Sequence, residues 1–191
     1  MQYTLTKQET KALLAHASKD DTRPQLVCVR FDRGHAVTTD GCRIACLDVQ
    51  SADRDGPAGS VPRAALELAL KVASRAKDEI HVTITPEEAP CYEIRVTRDG
   101  ETLYQAGGTV DPGGPFPDWR QVIPPTDRSD APAPVIGVNP AYLADLALVS
   151  KAIGADTAIE MRAGDAYSPI LFVARYASRE WRVVIMPVIL R

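Results

Sequence analysis

Apolar residues recur along this chain first at helical spacing and then at strand spacing, and the switch occurs three times. Thr6 followed by Glu9 has the spacing of a capping box. Thr10, Leu13, Leu14 and Ala17 then share one helical face, which predicts a helix to about Lys19. From Leu26 to Phe31 the period drops to two, with Val27, Val29 and Phe31 opposing Cys28 and Arg30. Asp32 to Gly34 supplies a hairpin turn, His35 to Thr39 a returning strand, Asp40 and Gly41 a second turn, and Arg43 to Val49 another strand. The polar run from Ser51 to Ser60 reads as a surface loop.

Pro62 stands where the first helical turn tolerates proline, and Leu66, Ala69, Leu70 and Ala73 carry a second helix to about Ala76. Ile80, Val82 and Ile84 then alternate with polar residues, as do Tyr92, Ile94 and Val96, and Asp99-Gly100 turns the chain into Thr102 to Val110. In the third round Asn139 is a suitable N-cap before Pro140. Tyr142, Leu146, Val149 and Ile153 form a stripe that Gly154 ends, and strands follow over Thr157 to Arg162, Pro169 to Tyr176 and Trp181 to Leu190.

Helix followed by antiparallel strands, repeated at a period of roughly 55 to 60 residues, predicts an α+β fold in which like units stack, because none buries its apolar face alone. Residues 1–124 form a domain of two repeated units, 125–134 a Pro-, Asp- and Ser-containing linker, and 135–191 a third unit equal to half a domain. The stretch FPDWRQVIP, Phe116 to Pro124, joins them. Its prolines hold the backbone extended while Phe116, Trp119, Val122 and Ile123 offer apolar surface, which makes it an anchored joint.

Composition narrows the function classes. With 22 basic and 25 acidic residues the net charge is -3, so any nucleic-acid contact has to come from one local face. Cys28, Cys42, Cys46 and Cys91 form no metal-ligand spacing and read as reduced thiols, mostly buried. His16 and His81 read as surface residues, and neither they nor His35 stand in a nucleophile-and-base spacing, so no enzyme and no cofactor are expected. The N-terminus lacks the order of a secretory signal, and no apolar run approaches the about 18 residues that span a bilayer. A soluble cytoplasmic protein is expected.

Three motifs carry a family resemblance. Thr39-Asp40-Gly41-Cys42-Arg43-Ile44-Ala45 is similar to a T-D-G-H-R-L-A turn, FPDWRQVIP to F-P-D-Y-R-R-V-L-P, and Val184-Ile185-Met186-Pro187-Val188 to V-V-M-P-M. All belong, in this order, to the bacterial sliding clamp, the β subunit of DNA polymerase III. Asn139-Pro140-Ala141-Tyr142-Leu143 and Ser168-Pro169-Ile170-Leu171 match two weaker pieces. The resemblance implies the DNA-clamp fold in a shortened form, matching the family's second domain and the second half of its third. It also implies a pocket for short linear peptides of DNA polymerase, clamp loader and repair proteins, made of Leu26, Thr39, Gly41, Arg43, Ile44, Pro124, Tyr142, Ser168, Val184, Met186, Pro187 and Val188. Cys42 and Ile189 depart from the family's histidine and basic residue.

The clamp's helices line its hole with cations that meet phosphates nonspecifically, and the corresponding DNA-facing residues here are Lys7, Lys11, Lys71, Arg75 and Lys151. Two readings stand: a processivity factor of DNA replication that encircles double-stranded DNA as a homo-oligomer, dimer or tetramer, and an adaptor that binds the same peptides without encircling DNA. No membrane partner is expected.

Overall fold

The computed structural model describes residues 1–51, 58–85, 91–109, 113–123, 136–153, 158–165, 167–176 and 179–188. The expected linker 125–134, Pro124, Gly154 and Ile189 lie outside them. The first unit consists of β1 (Gln2–Thr6), α1 (Lys7–His16), a 3-10 turn (Pro24–Leu26), β2 (Cys28–Asp32), β3 (His35–Thr39), β4 (Arg43–Asp48) and the short β5 (Gln50–Ser51). The second has β6 (Gly59–Pro62), α2 (Arg63–Val72), β7 (Glu79–Thr85), β8 (Cys91–Arg98) and β9 (Glu101–Thr109). A single turn, α3 (Trp119–Val122), lies in the joint. The third has α4 (Pro140–Ile153), β10 (Ile159–Arg162), β11 (Ile170–Tyr176) and β12 (Arg179–Ile185). No helix among the described residues is long and apolar enough to cross a membrane.

Several sequence expectations need correction. The leading strands β1 and β6 were not expected: each holds few apolar residues and is stabilised by pairing with a distant unit, so local periodicity does not show it. Gly59 and Ser60, expected in a loop, lie in β6. Helix α1 stops before Lys19 because Ala17 turns extended and the Ser18 amide bonds to the Leu26 and Thr39 carbonyls. Helix α2 ends at Val72, so Arg75 is not helical; its amide donates to Asp78 instead.

The first two units exchange their leading strands. β1 pairs with β7, placing Leu5 opposite Ile80, and β6 pairs with β2, placing Val61 opposite Val29. β12 then pairs with β4, Val184 opposite Ile44, so the third unit extends the sheet of the first. The result is a five-stranded sheet, β5-β1-β7-β8-β9, and a seven-stranded one, β10-β11-β12-β4-β3-β2-β6.

Alternation along the strands of the larger sheet loads both of its faces. Phe31, Ala45, Leu47, Phe172, Trp181, Val183 and Ile185 join the main core, which includes Leu13 of α1, Leu66 of α2 and Val149 of α4. Val37, Ile44, Cys46, Leu171, Val173 and Val184 form a second cluster that Trp119 closes, with Phe116 and Ile123 against it. Each of the Val, Leu, Ile and Phe side chains among them contributes about 1.5 to 3 kcal/mol on burial. The joint is thus an anchored cover on the outer sheet face, as its apolar residues predicted. Arg120 stacks 4.2 Å over the Trp119 ring and pairs with Asp32 at 2.7 Å, while the Trp119 Nε1–H donates to Asp32 at 3.4 Å.

The predicted capping box is present: the Thr6 amide donates to Glu9 at 2.7 Å, and the Glu9 amide donates to the Thr6 hydroxyl at 3.2 Å. Glu9 is buried and also pairs with Arg179 at the start of β12, tying α1 to the third unit. Thr6→Ala should cost about 1 kcal/mol of stability, the usual value of a cap. Glu9→Ala should cost more, on the order of 3 kcal/mol, because it strands Arg179 as well. Urea unfolding of the two variants checks the ranking.

Candidate functional site

Where β4 and β12 meet the joint, the outer face of the large sheet ends in a groove of about 190 Å³, lined by Leu26, Thr39, Gly41, Cys42, Arg43, Ile44, Pro117, Val122, Val184 and Met186. Its floor is the cross-strand pair Ile44 and Val184, both buried. Its rim is exposed: Met186 is 40% and Val122 38% accessible. Three distant segments therefore build one apolar slot.

The turn from Thr39 to Arg43 forms one wall and is stiff. Asp40 accepts from the amides of Cys42 and Arg43, both at 3.0 Å, and the Thr39 hydroxyl donates to the Arg43 carbonyl at 2.7 Å while accepting from the Gly41 amide at 3.1 Å. Gly41 sits at φ +92°, and a side chain there would run into Arg23 as well as into the backbone strain. The Met186 amide donates to the Cys42 carbonyl at 3.0 Å, holding the end of β12 against this turn.

Arg43 lines the groove with its stem and turns its guanidinium to the helices. Nε pairs with Asp40 at 2.9 Å, Nη1 with Asp145 of α4, and Nη2 donates to the Ala15 carbonyl of α1 at 2.8 Å. The same guanidinium lies 4.4 Å from the centre of the Tyr142 ring, and burial pushes the Tyr142 phenol above its ordinary value, with Asp40 adding to the shift. The arginine is thus a structural clamp between units as well as a wall of the groove.

Of the residues expected in the pocket, Leu26, Thr39, Gly41, Arg43, Ile44, Val184 and Met186 line it together. Tyr142 is placed beyond Arg43. Ser168 belongs to a turn in which its hydroxyl donates to Asp165 at 2.7 Å. Pro187 and Val188 follow Met186 at the end of the strand, where the Val188 amide donates to the Gly137 carbonyl at 2.8 Å. Pro124 is outside the described residues. Sequence reasoning missed Pro117, Val122 and Cys42 as lining residues, although the first two lie in the joint already marked by its apolar side chains.

On the opposite side, α1, α2 and α4 enclose a wider depression of about 610 Å³ lined by Lys11, Lys19, Arg43 and Arg63 together with Asp40, Glu67 and Asp145. Arg63 is held by Glu67 at 2.8 Å and by the Leu14 and Ala17 carbonyls. Lys11, Lys71, Arg75 and Lys151 are exposed, and Lys7 donates to the Ser74 carbonyl at 2.9 Å. Both signs of charge share this surface.

No family model and no curated protein matches the sequence. Solved structures do match in shape. The chain aligns over its full length with the DNA polymerase sliding clamp of Pseudomonas aeruginosa, at 19% identity and a TM-score of 0.67, covering 66% of that chain. Against the DNA polymerase III subunit beta of Borrelia burgdorferi the identity is 13% and the TM-score 0.73, covering 65% of that chain. The DnaN sliding clamp of Bartonella birtlesii bound to griselimycin gives 23% and 0.70 over 99% of this chain and 66% of that one. The architecture is a DNA clamp of helices and antiparallel sheets. More narrowly, it is the fold of the DNA polymerase III β sliding clamps, and the chain spans about 66% of the length of those it matches.

His16 lies behind the Arg43 cluster and is fully buried, contrary to the surface position expected for it. It takes the inward face of α1, where its Nδ1–H donates to the Ala12 carbonyl at 2.9 Å. Burial lowers its pKa from the ordinary value of 6.5, so the folded protein keeps the ring neutral while the unfolded chain takes up a proton. Stability should therefore be full above pH 6.5 and fall as the pH drops below it. The urea midpoint of the wild type should decline from about pH 6.5 to pH 5 more steeply than that of His16→Gln, since carboxylates common to both cancel. Equal slopes would contradict the assignment.

Proposed function

We propose that this chain is a clamp-type protein of DNA replication or repair that captures short linear peptides of DNA polymerases, clamp loaders or repair proteins in the groove between β4, β12 and the joint. The observation that carries this reading is the convergence of three segments on a preformed apolar slot with a rigid backbone turn at one wall. An extended peptide inserting two or three large apolar side chains gains about 25 cal/mol per Å² buried, less the cost of ordering it, which corresponds to micromolar affinity. Met186 on the rim adapts to related side chains. The protein works by binding, not by catalysis, inside the cell, with residues 1–124 as a complete clamp domain and 135–191 as half of one.

Double-stranded DNA is a second, nonspecific partner of the helix side through Lys7, Lys11, Lys71, Arg75 and Lys151, and an oligomer of this chain encircles it. A non-encircling adaptor is the alternative, favoured by the mixture of Glu67 and Asp145 with the lysines on the helix side. Salt separates the two. Encircled or grooved duplex requires binding that weakens steeply as salt rises and is lost in Lys11→Glu/Lys71→Glu, whereas an adaptor shows none at low salt.

Because two related clamps are described with griselimycin bound, that compound is the first probe for the groove. Met186→Ala/Pro187→Ala should weaken its binding at least about tenfold, equivalent to about 1.4 kcal/mol, in a calorimetric titration. The double variant should stay folded, because neither side chain belongs to the core. Undiminished affinity in a folded double variant would sink the groove assignment.

A further inference from the structure

The three units share one order, and the first two show how such a unit is completed. β1 lies between two strands: on one side β5, the tail of its own unit, with Tyr3 opposite Ser51, and on the other β7 of its neighbour. β6 in return lies on β2, and α1 packs beside α2. In the third unit only the first half of this arrangement is present. Gly137, just ahead of α4, bridges Val188 in the tail of its own unit, as β1 does with β5. β10, which occupies the place of β2 and β7, ends the seven-stranded sheet with no strand on its outer side among the described residues.

The side chains tell the same story. Only Asp145 and Lys151 are charged among the 14 residues of α4, and Asp145 is engaged by Arg43. A helix apolar on all sides is normally covered on all sides, yet Leu143, Ala144 and Ala147 face outward. Met161 is 62% exposed on β10 although it stands opposite Phe172, a residue of the helix-side core, so it occupies a core-facing position that lacks a cover.

We infer that this open face is completed by a second copy of the same chain, the two third units joining across a twofold axis. Residues 136–138 of each lie along β10 of the other, and the two α4 helices pack as α1 packs on α2. The occupant follows from the repeat: the missing half-partners are a leading segment and a strand edge, and each copy offers both. The charges allow it. In an antiparallel contact centred on Ala147 the two Lys151 side chains are separated by roughly 12 Å along the axis, more than a Debye length of about 8 Å at physiological salt. Ala144 and Ala147 let the helices approach closely. The pairing also removes an exposed sheet edge, which otherwise invites aggregation. The peptide groove lies on the other sheet face and takes no part.

Light scattering behind size exclusion, over roughly a tenfold range of concentration, tests this on the full chain. The wild type should show twice the chain mass of 20.7 kDa, or a larger even multiple. Ala147→Glu and, separately, Met161→Lys should each halve that mass and lower the thermal midpoint, since the contact stabilises the folded chain, while griselimycin binding stays unchanged. Leu103→Glu, on the opposite edge strand β9, should retain the twofold assembly. A monomeric wild type, or a dimer that survives both third-unit variants and is lost in Leu103→Glu, would overturn the inference without touching the groove assignment.

Discussion

The structure depends on the seam where β4 of the first unit pairs with β12 of the third. Five cross-strand pairs run along it, from Trp181 with Leu47 to Ile185 with Arg43. It places apolar residues of both strands alternately in the main core and in the outer cluster. Arg43 ends the seam and fastens it on the helix side, reaching Asp40, Asp145 and the Ala15 carbonyl. Glu9 and Arg179 fasten the other end of the same region. Because ion pairs this sheltered lose several kcal/mol when one partner is removed, the relative position of the two units is fixed before any ligand arrives.

Preorganisation of the groove follows from that constraint. The slot has no wall of its own: its floor is the seam, one side is the turn after β3, and another is the joint lying across the sheet. Trp119, buried between His35 and the outer cluster with its Nε1–H on Asp32, keeps the joint in place. A ligand entering such a slot orders itself without first ordering the protein, which is the cheaper way to bind a flexible peptide. The helix side is different in kind. Its cations stand beside Glu67 and Asp145, so the field they set up is local and readily screened by salt.

Much of the local structure was legible in the sequence. Asn139-Pro140 and the stripe from Tyr142 to Ile153 give α4 its bounds, Asp99-Gly100 gives the β8 to β9 hairpin, and Thr6 with Glu9 gives the cap of α1. What periodicity cannot report is which strand lies beside which. β1 and β6 were missed because their stability comes from β7 and β2, roughly 75 and 30 residues away in a chain whose contacts are largely long-range. His16 was misplaced because a polar side chain on the inward face of a helix is acceptable once it finds a carbonyl, which Ala12 provides. The groove was found through its motifs in seven of its ten lining residues. Pro117 and Val122 escaped because the joint's path over the sheet is a tertiary fact, and Cys42, in the turn after β3, was read only as a departure from the family's histidine.

The central claim is that a peptide-like ligand settles on the seam between the first and third units. Backbone amide shifts followed during titration with griselimycin test it most directly. The account predicts that the largest changes fall on Leu26, Gly41, Cys42, Val184 and Met186, with the helix-side residues Lys11, Glu67 and Leu148 unmoved. Shifts confined to the helix side, or a spectrum unchanged at saturating ligand, would contradict it.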